Sequence, residues 1–147
     1  MASVVVIDSG ILITSVFNEP LTARAKALLG YWQEQDFQLA VPTLFRYEIV
    51  AVTRKAVFQT RISPEEGIQV RDFMLQYPVQ THIDEMLLKR AYEMAVLYNR
   101  PTAYDSQYLA LAERLEVEFW TADERLFNRV NPDLTWVKWL GNFTSAV

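Results

Sequence analysis

Four acidic residues stand out from the eighteen in this chain by where they fall. Asp8 directly follows Ser3–Ile7, a Ser-Val-Val-Val-Ile run without polar alternation, which reads as a strand buried on both faces. Asp123 comes two residues after Phe119-Trp120-Thr121, a second apolar strand candidate. Glu48 lies in the first turns of a helical stretch that follows another short apolar run, and Asp105 opens the helix leading into the next strand. In a parallel sheet ligands bind outside the carboxyl ends of the strands, and the N-termini of the connecting helices lie at that same edge. All four carboxylates are therefore expected on one rim. Carboxylates gathered within a few ångströms cannot all stay ionised without a compensating charge. Hard oxygen donors of this kind suit a divalent cation, Mg²⁺ or Mn²⁺. Such a site polarises a phosphoryl oxygen and acidifies water, the chemistry of phosphodiester hydrolysis. Taken singly, Asp8, Asp105 and Asp123 each also read as helix N-caps, and Glu48 as a solvated helix glutamate. Their joint placement carries the functional reading.

The elements that must position them alternate. After the Ser3–Ile7 strand, Ile11–Phe17 reads as a short helix and Leu21–Gln35 as a longer one. Phe37–Val41 is a short apolar strand closed by Pro42, and Leu44–Gln59 carries Phe45, Ile49, Val52 and Ala56 at helical spacing. Ser63-Pro64-Glu65-Glu66 is a capping box with proline at the first helical position, opening a helix to about Leu75. Val79–Ile83 reads as a strand, and Asp84 caps a helix whose Leu87, Leu88, Ala91, Ala95 and Tyr98 form a core-facing stripe. Asn99-Arg100-Pro101-Thr102 is a loop, Asp105–Leu115 a helix, Val117–Thr121 a strand and Leu134–Leu140 a last strand. Strands alternating with helices predict an α/β fold, three layers α/β/α around a central, mostly parallel sheet. No repeat or linker interrupts the pattern, and 147 residues suit one domain over 1–147.

Composition narrows the chemistry. Half the residues are apolar and 13% aromatic, which excludes a disordered chain. The absence of cysteine removes disulfides, thiolate zinc sites and cysteine nucleophiles. No apolar run reaches membrane-spanning length and Met1-Ala2-Ser3 lacks a basic leader, so the expectation is a cytoplasmic protein with no membrane association. A net charge of −4 argues against coating nucleic acid by bulk attraction. It leaves room for an enzyme whose acidic pocket grips metal.

With these residues in hand, the pattern resembles the PIN-domain ribonucleases, and within them the VapC-type toxins of prokaryotic toxin–antitoxin pairs. The likeness runs over nearly the whole chain. Val5-Val6-Ile7-Asp8-Ser9-Gly10 is similar to the family's first motif, and Pro42-Thr43-Leu44-Phe45-Arg46-Tyr47-Glu48 to the second. Tyr104-Asp105-Ser106-Gln107-Tyr108-Leu109-Ala110 is similar to the third, and Thr121-Ala122-Asp123-Glu124-Arg125-Leu126 to the fourth. The resemblance implies endonucleolytic cleavage of RNA by a metal-activated water, leaving a 5′-phosphate and a 3′-hydroxyl. It implies Asp8, Glu48 and Asp105 as ligands of the principal Mg²⁺ or Mn²⁺, with Asp123 completing the site or holding a second ion. Thr121 would be a supporting hydroxyl, and Ser9 would orient water or Asp8, with a plain turn role as its alternative. Where many relatives carry asparagine shortly after the glutamate, this chain has Ala51 and Val52. A small antitoxin protein and a second copy in a homodimer are the implied partners, with the helices near Phe17, Leu28 and Phe45 as a groove for a partner helix.

Other readings are weaker. His82 is the only histidine and is assigned a structural role. Arg46 and Arg125 sit beside motif residues and are candidates for RNA phosphates. Tyr31, Trp32, Trp136 and Trp139 are read as core or dimer contacts ahead of base-stacking surfaces. A phosphoacceptor receiver would need an acidic pair at the first strand and a lysine after a late one. A haloacid-type phosphatase would need aspartate where Gly10 stands, and a dinucleotide site a glycine-rich turn. The alternative that survives is a non-catalytic PIN-like module that binds RNA or protein.

Overall fold

The computed structural model describes residues 2–145. Met1, Ala146 and Val147, the ends of the expected 1–147 domain, lie outside the described residues. Among the described residues five strands make one sheet: β1 (Val4–Ile7), β2 (Gln38–Pro42), β3 (Gln80–His82), β4 (Phe119–Thr121) and β5 (Val137–Trp139). Their order is β3-β2-β1-β4-β5, and every pairing is parallel. Parallel neighbours need crossovers, and the helices supply them: α1 (Ser9–Val16) and α2 (Thr22–Glu34), α3 (Leu44–Phe58) and α4 (Pro64–Gln76), α5 (Glu85–Leu97) and α6 (Asp105–Leu115), and α7 (Glu124–Val130). Right-handed crossovers place α1–α4 on one face and α5–α7 on the other, because the direction of strand addition reverses after β3. The packing of α1 on α2 and α3, of α3 on α4, and of α5 on α6 follows that division. This is the expected α/β sandwich, with the sheet parallel throughout.

The core explains the strand compositions. Val5, Val6 and Ile7 are enclosed on both sides, as an unbroken β-branched run requires. Tyr108 of α6 stacks on Phe119 of β4 at 5.7 Å between ring centroids, and Trp32 of α2 meets Trp120 edge-on at 6.1 Å. Trp136 and Trp139 pack against the core, and Tyr31 lies beside Phe37 and Phe143.

Several expectations need correction. Leu88 does not face the core; it is 56% exposed, and Met94 takes the inward place beside Leu87, Ala91 and Ala95. At 3.6 residues per turn Leu88 stands about 100° round the helix from Leu87, at the margin of the buried stripe, where its longer side chain reaches solvent. Phe17, Leu28 and Phe45 are themselves core residues. The last strand is only Val137–Trp139, and Leu140–Asn142 is a 3₁₀ turn. The helix α7 was signalled only by Asp123 as a possible N-cap, because at seven residues it is too short to show apolar periodicity.

Candidate active site

The sheet reverses its order of strand addition between β1 and β4, and this topological switch opens a crevice at the carboxyl ends of those strands. A cleft of about 260 Å³ lies there, lined by Asp8, Ser9, Gly10, Glu48, Asp105, Tyr108, Ala122 and Asp123. Four separate stretches of chain thus bring their acidic residues to one place. A larger groove of about 740 Å³ lies at the opposite sheet edge, among Trp32, Phe37, Phe73, Tyr77 and Val79. Asp36 is the one carboxylate among the described residues that line it, so it offers no comparable convergence of acidic groups.

Each acid is held differently. Asp8 leaves β1 with its N–H still bonded to the Trp120 carbonyl at 3.3 Å, which fixes it beside the end of β4. Its Oδ1 caps α1 by accepting the Ile11 N–H at 3.1 Å and also accepts the Ala122 N–H at 3.4 Å, while its Oδ2 accepts from the Thr121 hydroxyl. The fully buried Thr121 oxygen in turn accepts the Asp123 N–H at 2.9 Å, tying the two motifs together. Glu48 Oε1 accepts from Ser9 Oγ at 3.1 Å and from the Tyr108 hydroxyl at 2.5 Å. Asp105 Oδ2 accepts from Arg100 Nη2 at 3.1 Å. Asp123 Oδ1 caps α7, accepting the Arg125 and Leu126 N–H groups at 2.9 and 3.2 Å. The capping roles foreseen for Asp8 and Asp123 are real, and they use one oxygen of each carboxylate as the anchor that points the group into the cleft. Gly10 allows the close approach: a Cβ there would stand 3.0 Å from that of Ala122.

Charge accumulates along this chain of acids. Burial pushes Asp8 up to about 7, against hydrogen bonds from Thr121, Ile11 and Ala122, with Glu48 adding repulsion. Burial also raises Glu48, opposed by Tyr108 and Ser9 and reinforced by Asp105. Asp105 is raised by burial, opposed by Arg100 and reinforced by Asp123. The Tyr108 phenol lies far above its ordinary range through burial and the facing Glu48 carboxylate, so it donates as a neutral group.

A comparison with protein families matches residues 5–131 to the PIN domain. The chain belongs to the PIN-domain family. Within it, the chain is 35% identical over 85 residues to Ribonuclease VapC12 of Mycobacterium tuberculosis, from strains CDC 1551 / Oshkosh and ATCC 25618 / H37Rv. That alignment covers 58% of this chain and 64% of the relative, so the chain spans just under two thirds of the curated proteins it matches. The structure of PAE2754 from Pyrobaculum aerophilum superposes with a TM-score of 0.70 at 18% identity, covering 96% of this chain and 93% of that one. A toxin–antitoxin complex from Klebsiella pneumoniae gives 0.60 at 17% identity, covering 90% and 94%. At these identities the likeness concerns the fold.

The PIN-domain cleft has the donor chemistry that a hard divalent cation takes: oxygen donors only, three of them carboxylates whose charge is opposed by burial and by one another. Among the described residues no three His, Cys, Asp or Glu side chains already close into a metal-binding group. The carboxylates border the cleft while engaged with protein donors. Ser9, expected at Asp8 or a water, donates to Glu48 instead. Two contributors were missed as site residues. Tyr108 lies three residues after Asp105 on the same helix, so helical spacing alone could have marked it. Arg100 comes from a loop with no periodicity to read. Arg46 is engaged within the protein, donating to the Leu75 carbonyl and to Thr81. Arg125 is exposed in the first turn of α7, beside the cleft.

Proposed function

We propose that this chain is an endoribonuclease dependent on Mg²⁺ or Mn²⁺, a single PIN domain over 1–147 acting in the cytoplasm as the toxin of a toxin–antitoxin pair. The observation that carries the reading is the meeting of Asp8, Glu48, Asp105 and Asp123 around one small cleft at the switch point, with three of them raised in pKa. The family and the ribonuclease name of its curated relative support the same direction.

In this reading Asp8, Glu48 and Asp105 hold the principal cation and Asp123 completes the site. A bound divalent cation supplies a Lewis acid that polarises the scissile phosphoryl group and acidifies water. The protein's own part is orientation. Thr121 and two backbone N–H groups fix Asp8, and Ser9 with Tyr108 fix Glu48, so both carboxylates enter the reaction without losing freedom at that moment. Arg125 stands where an RNA phosphate would pass. The partners are a small co-encoded antitoxin and a second copy of the chain, and no helix among the described residues is long and apolar enough to cross a membrane.

The test is sequencing of the 5′ ends of cellular RNA after induction of the wild type and of Asp8→Asn. New 5′-phosphate ends should appear with the wild type alone. In vitro, EDTA should stop cleavage and Mn²⁺ restore it. RNA that is bound yet left intact with Mn²⁺ present would favour the non-catalytic module. A pull-down from the native host that returned no small co-encoded protein would count against the toxin role.

A further inference from the structure

The four cleft carboxylates share one ion pair among the described residues, and it is made by Arg100. The chain delivers this arginine with little freedom. At the end of α5 the Arg100 N–H bonds back to the Ala95 carbonyl at 2.8 Å and the Asn99 N–H to the Val96 carbonyl at 3.2 Å. Asn99 takes the left-handed conformation at φ 53° that this helix ending requires. Pro101 then restricts the arginine's own backbone. The side chain is only 20% exposed, and its buried Nε has no hydrogen-bond partner. A guanidinium with one donor unused and one given to Asp105 is placed for charge more than for hydrogen bonding.

We propose that Arg100 is the built-in counter-cation of the cleft and sets its affinity for divalent metal. It is a positioning residue acting through Asp105. Without a divalent ion it compensates the Asp105 carboxylate, to which its Nη2 donates at 3.1 Å. When such an ion enters, the fixed guanidinium, charged at every physiological pH, repels it. The cleft then fills only at the higher free concentrations at which Mg²⁺ is the available cation. The inference rests on the metal-dependent reading above and adds a residue to it.

Full-length, metal-stripped protein is titrated with MnCl₂, and free Mn²⁺ is read by electron paramagnetic resonance. Arg100→Met, uncharged and of similar length, should bind Mn²⁺ about tenfold more tightly or better, whereas Arg100→Lys should stay within about threefold of the wild type. Without metal, Arg100→Met should melt below the wild type, and Mn²⁺ should raise its melting temperature by more. A residue that only braced the loop would lower melting equally with and without Mn²⁺ and leave its Kd unchanged. Unchanged or weaker Mn²⁺ binding by the methionine variant would overturn the proposal, and Arg100→Gln carries the same thresholds should that variant not fold. A wild type that binds no Mn²⁺ would overturn the metal-dependent reading together with this one. Binding by the wild type with no change in the variants would overturn this one alone.

Discussion

At the scale of single residues, the cleft is a place where the folded state opposes ionisation. Asp8 lies near pKa 7 in the fold against 3.8 for the free group, because its charge is buried. A raised acid pKa means the native state holds its proton longer than the unfolded chain does. The stability contributed is therefore fully present below about pH 4 and is lost as pH rises towards 7. Glu48 and Asp105 act in the same sense. Metal-stripped protein should lose melting temperature between pH 5 and 7.5, by an amount corresponding to a few kcal/mol. Asp8→Asn should flatten the profile, as seen in melts across that range, while abolishing cleavage. A wild-type profile that rises through the same window would contradict the burial of this charge. The aspartates were legible as residues because of where they interrupt apolar runs. That Ser9 serves Glu48 was not legible, since a hydroxyl's partner depends on which side chain the fold brings within 3 Å.

At the scale of elements, the helix beginnings were easier to read than the ends. The capping box at Ser63 forms as its sequence predicts, with Glu66 bonding back to the Ser63 N–H at 3.1 Å. Ser63→Ala should accordingly cost about 1 kcal/mol of stability in urea unfolding. The ends of α2, α3, α5 and α6 share one device that sequence conceals. Asp36, Thr60, Asn99 and Glu116 each adopt φ between 53° and 57°, and the residue after each bonds back to the last turn. Glycine is the usual signal for this ending, and none of the four glycines here has positive φ. Thr60 is the most strained of the set, being β-branched. Thr60→Gly should raise stability by roughly 1 kcal/mol, about 3 °C in melting temperature, whereas Asn99→Gly should change it little because asparagine tolerates the conformation. A Thr60→Gly variant less stable than the wild type would mean that its backbone is not strained.

At the scale of the whole molecule, the proposed function asks an acidic protein with a net charge of −4 to hold RNA, which it should do with few phosphate contacts. Binding of a short RNA by Asp8→Asn, followed by fluorescence anisotropy from 50 to 300 mM KCl, should show a shallow log–log slope of magnitude about 2 or less. A steep slope would mean a cationic surface that these charges do not provide. The alternation of apolar runs with helical stretches determined the α/β architecture by itself, because hydrophobic period is a local property that each element carries in its own residues. The same locality placed Asp8 and Asp123 at strand ends and Asp105 at a helix start. What only the tertiary structure decided is adjacency. Strand order puts β4 beside β1 and so joins Asp123 to Asp8 through Thr121, α6 swings Tyr108 onto Glu48, and the turn after α5 sets Arg100 against Asp105. Those pairings depend on crossovers between distant segments, and the energies that choose them arise only once the sheet has assembled.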